Sequence, residues 1–397
     1  MTTMTEEREI ITEEERGIIT EILEHAEKGT THMLPEVMSN PVSKYTDPAQ
    51  LDAEVQTLFR NFPIVVAHCS ELPEPGDFVT VDHLGPPILV TRNHDGQVRA
   101  FYNVCRHRGA RVESKPCGKA RTFSCPYHSW TYDLNGKLRG IPQQEGFAGV
   151  DKSKHGLVEL PAEERFGMIW VVPSPQEQAV DFDAWFAPMQ TQLDSLGLDT
   201  HVIYKKWTLD RNMSWRLALE GFQESYHFCH AHRDTACAGY LDNQSVHLDF
   251  GPHVRHAVPL PKVQELRDAD PADWTYRPYF MTQNYLFPAN FFQVMTDHVY
   301  IHTIIPTGPG TCIFNCMLMI PEAPATEKAE RYWAKNYSLI RTVFEEDFVI
   351  GEDIQKNFAT GANENFLFGT FECGLQFGQQ AIDAALRGEL KVPVKAA

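Results

Sequence analysis

Two short stretches constrain this chain more than anything else in it. Cys105-Arg106-His107 sits in NVCRHRG, and Cys125-Pro126-Tyr127-His128 sits in CPYHSWTYDLNGKLRG, with seventeen residues between His107 and Cys125. Buried thiols and hydrogen-bonded imidazoles explain any one of these four residues well, but explain four at these spacings poorly. A metal site is the better reading. Cys2His2 is a standard tetrahedral zinc shell, yet zinc fingers pair Cys with Cys and His with His, whereas each loop here offers one of each.

Mixed loops suit a different chemistry. In a Rieske [2Fe-2S] centre two thiolates hold one iron and two imidazoles hold the other, so two loops that each carry a Cys and a His can clamp the cluster from both sides. Cys117, between the loops, is a fifth thiol that the pattern does not need, and it reads as a small residue in a turn beside Gly118.

Composition narrows the setting. The chain has 397 residues, 35 Lys and Arg against 53 Asp and Glu, and a formal charge of -18, which argues against a nucleic-acid binder. The first thirty residues are too acidic for a leader peptide, and no apolar run reaches membrane-spanning length. A cytoplasmic protein is expected, with its nine cysteines as reduced thiols or metal ligands.

Organisation changes twice along the chain. A helical arm within residues 1–39 shows Ile18, Ile19, Ile22 and Leu23 at helical spacing, with Thr12 and Glu15 as a capping box. Residues 40–161 are short Val-, Ile- and Phe-rich runs separated by turns such as Glu74-Pro75-Gly76-Asp77, which predict a compact antiparallel β domain. Residues 162–397 mix strand-like runs, including FGMIWVV and TCIFNCMLMIP, with helices expected near Ser214–Phe228, Glu327–Asn357 and Leu375–Leu386. The fold class is therefore α+β, with helices packed on one face of an antiparallel sheet.

A second constellation lies in NMSWRLALEGFQESYHFCHAHRDTAC, where Glu224, His227, His230 and His232 fall within nine residues on what reads as a helix. Spacing alone favours His227 and His230 as a ligand pair, since residues three apart share a face and residues five apart lie about 140° apart on an ideal helix. Near the end, IRTVFEEDFVIGEDIQKN offers Glu346, Asp347 and Asp353 as carboxylates.

Taken together, the loops, the histidine stretch and the late acidic helix resemble the Rieske-type mononuclear non-haem iron oxygenases, the family of ring-hydroxylating oxygenase α subunits. The likeness runs from about Asn40 to Leu386. It implies a Rieske domain at 40–161, with Cys105, His107, Cys125 and His128 holding the [2Fe-2S] cluster. A helix-grip catalytic domain at 162–397 would hold mononuclear Fe(II). The D/E-x-x-H-x-x-x-x-H motif maps to Glu224, His227 and His232, so His227 and His232 become the iron ligands, His230 a bystander, and the helix must end or bulge between them. An acid ahead of an E-x-x-Q step completes the site, and Asp347 matches it best. Glu224 would bridge a cluster histidine and an iron histidine across a subunit boundary. Glutamate replaces the usual aspartate there, as in carnitine oxygenases, and Gly221 replaces a frequent Asn.

The resemblance implies a terminal oxygenase component that inserts one or two oxygen atoms from O2 into a small organic substrate. Electrons would come from NAD(P)H through a separate reductase, with a ferredoxin left open, since no Gly-rich dinucleotide loop follows a strand. A homotrimer is implied, with a small β subunit left open. The aromatic and Met-rich run WTYRPYFMTQNYLFPANFFQVMTDHVYIH suggests an aromatic or apolar substrate. Aromatic walls equally suit a quaternary ammonium group of choline or carnitine type. A Rieske electron carrier without catalysis is the non-enzyme alternative, and it leaves the second histidine pair unexplained.

Overall fold

The computed structural model describes residues 11–396. The first ten residues of the predicted arm lie outside the described residues. The helix Glu13–Lys28 opens on Thr12, whose side chain accepts from the Glu15 N–H while Glu15 accepts from the Thr12 N–H, as the capping box requires. Its buried Ile18, Ile19 and Ile22 pack against Val246, Val263 and Phe280 of the second region, so the arm is fastened to the body by apolar contact.

The first region holds a five-stranded antiparallel sheet of Glu159–Leu160, Val98–Tyr102, Ile88–Arg92, Asp77–Val81 and Cys117–Lys119, in that order. A three-stranded sheet of Thr122–Ser124, Thr131–Asp133 and Leu138–Gly140 lies beside it. Strand alternation divides the labour. Phe78 and Leu89 enter a small core with Phe123, Trp130 and Tyr132 beneath the two Cys/His loops. Their neighbours Val79, Val81, Ile88 and Val90 join the large core shared with the second region. Cys117 is an exposed residue of a strand rather than part of a turn.

One strand sits elsewhere than expected. Met168–Val171, from the FGMIWVV run assigned to the second region, hydrogen-bonds to Ile64–His68 and to Ala162–Arg165 in a three-stranded sheet. Its four buried side chains fit a place between the two regions, and such a continuous apolar run carries no alternation to say which sheet it joins.

The second region is built on a seven-stranded antiparallel sheet, ordered Val202–Arg211, Thr311–Ile320, Val299–Gly308, Asn290–Val294, Phe280–Leu286, His253–Pro259, Val246–Phe250. The amphipathic helix Glu327–Asn357 lies across it, burying Ile340, Phe344 and Phe348, with Phe344 and Phe348 edge-on to Phe314. A more apolar helix, Cys373–Leu386, packs at the other end against Gln223, where a Cβ on Gly374 would come within 2.2 Å of the Gln223 carbonyl. That approach needs glycine.

The helix expected over Ser214–Phe228 is interrupted. It runs only from Trp215 to Glu220, and helix resumes over Phe228–Ala231. Gly221 is a poor helix former, and Glu224 turns its carboxylate onto the His227 backbone N–H at 3.1 Å, a local bond that competes with the helical ladder. The expectation of reduced thiols also fails at one pair. Cys229 and Cys237 form a disulfide with Cα atoms 4.7 Å apart, while Cys69, Cys105, Cys117, Cys125, Cys312, Cys316 and Cys373 are free. No helix among the described residues is long and apolar enough to cross a membrane.

Candidate active site with two metal centres

The two Cys/His loops are near copies of each other in backbone. The Cys105 carbonyl accepts from Gly109 at 2.9 Å, and the Cys125 carbonyl accepts from Ser129 at 2.8 Å. Each loop turns through a positive φ at that fourth residue, 78° at Gly109 and 57° at Ser129. The turns drop both thiols inward and leave both imidazoles near the surface. Cys105 and Cys125 are buried, whereas His107 and His128 are half-buried and face each other with Nδ1 atoms 3.1 Å apart. Trp130 stacks on His107 at 4.9 Å, and the Tyr132 hydroxyl lies 3.3 Å from the Cys105 sulfur while accepting from the Arg106 N–H. Burial pushes the Cys125 thiol up, a cost that binding as thiolate to iron would offset. Sulfurs on the inner side and ring nitrogens on the outer side fit a cluster with one iron on each pair.

The second constellation converges from two elements. His227 and His232 flank the short helix Phe228–Ala231, and Asp347 comes from the long helix opposite. One ligand atom from each of the three lies within 4.8 Å of the other two. The His232 Nε2 is 2.9 Å from Asp347 Oδ1, and the His227 Nε2 is 3.6 Å from the same oxygen. On its far side each ring meets another carboxylate: His227 Nδ1 bonds Glu224 Oε1, and His232 Nδ1 lies 2.7 Å from Glu346 Oε2. Carboxylates only accept, so both Nδ1 atoms carry protons, and both Nε2 atoms face Asp347, where a bound cation would take the place of a proton between ring and carboxylate. Two nitrogen lone pairs and a carboxylate converging on one point suit a divalent cation, and two imidazoles with one carboxylate match the facial triad of non-haem iron.

Charge follows the same logic. Burial works against protonation of His227 and His232, but Glu224 and Asp347 around the first, and Asp347 and Glu346 around the second, hold both above the usual imidazole range. The surroundings are built for positive charge. Sequence reasoning had Glu346 only as a rival for Asp347; the structure instead gives it the outer nitrogen of His232 and the Thr235 hydroxyl at 2.7 Å. Consecutive acids on one helix could have suggested the pairing, because a ring inserted beside the helix can touch both. His230 is exposed beside Tyr226 and stays outside the cluster, and Asp353 is exposed with Asn357 as its partner.

Two cavities open onto the triad. One of about 210 Å³ is lined by His227, His232 and Asp347 together with Phe228, Tyr240, Met281, Met295, Tyr300 and Phe344. The Met- and aromatic-rich run therefore divides, with Met281, Met295 and Tyr300 in the cavity wall and Tyr285, Phe291 and Phe292 in core. The other cavity, about 480 Å³, is lined by Glu224, His227 and Asp347 and rimmed by Ile350, Phe366 and Leu367.

Residues 62–157 match the Rieske [2Fe-2S] domain, and residues 198–388 match the catalytic domain described as ring hydroxylating alpha subunit. A Rieske domain joined to a catalytic domain that binds mononuclear iron defines an oxygenase α subunit. The chain belongs to the Rieske-type mononuclear non-haem iron oxygenases, the ring-hydroxylating oxygenase α-subunit family.

Among curated relatives, the glycine betaine monooxygenase oxygenase subunit of Pseudomonas aeruginosa is 31% identical over 208 residues, 52% of this chain and 48% of that one. The biphenyl 2,3-dioxygenase subunit alpha of Rhodococcus jostii is 33% identical over 191 residues, 46% of this chain and 41% of that one. The matches thus span about half the length of these relatives. A solved structure of a quaternary ammonium Rieske monooxygenase shares the fold, with a TM-score of 0.76 at 22% identity over 88% of this chain and 96% of that one.

Proposed function

We propose that this chain is the terminal oxygenase component of a multi-protein system, which uses O2 and reductant delivered by a separate NAD(P)H reductase to hydroxylate a small organic substrate. The observation that carries the reading is that His227, His232 and Asp347 both converge on one point and line the floor of the 210 Å³ cavity. Iron held by this triad supplies O2 activation, and a Rieske cluster supplies electrons singly.

The protein's own groups do the rest. Glu224 and Glu346 fix the tautomer and orientation of the two ligand rings. Phe228, Tyr240, Tyr300 and Phe344 line the cavity and offer flat apolar faces to a substrate. No Lys or Arg is among the described residues that line it, which argues against an anionic substrate, and its apolar walls fit an aromatic or apolar compound. The second reading, a quaternary ammonium substrate, is supported by the glycine betaine and carnitine monooxygenase relatives and by those same aromatic faces, which attract cations.

The Glu224 cavity supports assembly as a trimer in which one subunit's cluster docks against the next subunit's iron site. Ile350 and Leu367 are exposed at its rim, and Tyr127 is exposed beside His128, so apolar surface is present at both ends of such a contact. The setting proposed is cytoplasmic. Assaying the loaded protein with a Rieske-system reductase on naphthalene, biphenyl, glycine betaine and carnitine tests the reading. Oxygenated product from either class supports it, and NADH consumption without oxygenated product from any member contradicts it.

A further inference from the structure

The C-terminal end of the arm helix carries a second set of two imidazoles and one carboxylate, remote in sequence from the triad. Glu21 and His25 stand one turn apart on Glu13–Lys28, so they share a face. Gly29 ends that helix at φ 62°, and the reversal brings His32 back onto the same face. Glu21 Oε1 is 3.2 Å from His25 Nε2 and 2.6 Å from His32 Nδ1, and one ligand atom from each residue lies within 4.8 Å of the others. The remaining nitrogen of His25 meets the Thr30 hydroxyl at 2.9 Å, which aims Nε2 inward as the outer partners of metal-binding imidazoles do.

We propose that Glu21, His25 and His32 form a second, structural metal site for a divalent transition cation, zinc by preference, with water completing the shell. The donor set decides the class: two imidazoles with one carboxylate suit first-row transition cations such as zinc, cobalt, nickel or iron(II), whereas calcium and magnesium take oxygen-rich shells. All three residues are half-buried, which leaves an open side for water.

The site has a mechanical role. The segment after His32 is tied to the body by the Leu34 N–H on the Thr370 carbonyl at 2.7 Å, and the His32 carbonyl accepts from the Cys373 thiol at 3.9 Å. Cys373 begins the helix that packs behind Gln223. A cation shared by arm helix and loop therefore pins the arm to the wall that supports Glu224.

The test is a cobalt(II) titration of the full chain with its iron centres already loaded, followed by visible ligand-field absorption. One additional cobalt per chain is expected in the wild type and in His230→Gln, a histidine outside both sites. At least tenfold weaker binding is expected in His25→Gln and in His32→Gln. A zinc-dependent rise in melting temperature should appear in the wild type and vanish in His32→Gln. Equal cobalt affinity in the wild type and both Gln variants, or no binding beyond the iron centres, overturns the site. Because the readout does not use oxygenase turnover, its failure would leave the oxygenase reading untouched.

Discussion

At the scale of single residues, the two imidazoles of the proposed iron site are alike in their bonding: each turns Nε2 to Asp347 and Nδ1 to a carboxylate, Glu224 for His227 and Glu346 for His232. Outer-shell carboxylates of this kind typically change metal affinity or activity about 10- to 100-fold when removed. Glu346→Gln should therefore weaken iron retention by about that factor, measured as iron per chain after dialysis against a chelator, while the cluster's visible spectrum stays. Glu224→Gln should retain both metals yet slow turnover about tenfold or more, and unchanged turnover would remove Glu224 from the electron path.

A third residue tests the fold rather than the chemistry. Glu220 is enclosed with Tyr45 and Gln379, and burial pushes its carboxyl up to about 7 from the ordinary 4.5. A raised carboxyl contributes its full stability below the unfolded value and loses it as pH climbs through the folded one. Melting temperature should therefore fall between about pH 4.5 and 7 by an amount worth on the order of 3 kcal/mol, and Glu220→Gln should flatten that fall.

At the scale of elements, the site depends on a helix that stops early. Had the turn Phe228–Ala231 continued as regular helix through His232, that residue and His227 would point about 140° apart and could not meet one cation; instead the chain leaves the helix at His232, with φ -108° and ψ 32°, and the two rings come to 5.2 Å. Periodicity in Leu217, Leu219 and Phe222 could not show the earlier break after Glu220, because the interruption comes from a side chain, Glu224, that satisfies the His227 N–H. By contrast the Glu327–Asn357 helix was legible to the residue, since its apolar stripe is long and capped by Thr326. The Cys229–Cys237 bond was not legible, because nine scattered cysteines say nothing about which pair will lie on one loop. Gly374→Ala should force the Cys373–Leu386 helix away from Gln223, lowering the melting temperature and emptying the mononuclear site before the cluster is lost. Iron counts and visible absorption on the same sample check the order.

At the scale of the whole molecule, the two metal centres lie in separate cores, one of Phe78, Leu89, Phe123 and Tyr132 and the other in the larger core of the seven-stranded sheet. The Cys/His loops were readable because their mixed pairing is itself the chemistry. Asp347 and Glu224 were readable only through family likeness, since isolated acids on a chain with 53 of them carry no signal. Leu367→Asp, at the rim of the Glu224 cavity, should break the proposed trimer while leaving both metals in place, with turnover lost on size-exclusion monomers. The central claim is that one chain holds a Rieske cluster and a separate iron on His227, His232 and Asp347. Iron and acid-labile sulfide analysis of the wild type and His227→Ala tests it most directly. About three irons and two sulfides per chain are expected in the wild type, and about two of each, with an unchanged cluster spectrum, in the variant. Zinc in place of iron and sulfide, or loss of the cluster together with the third iron, would contradict the account.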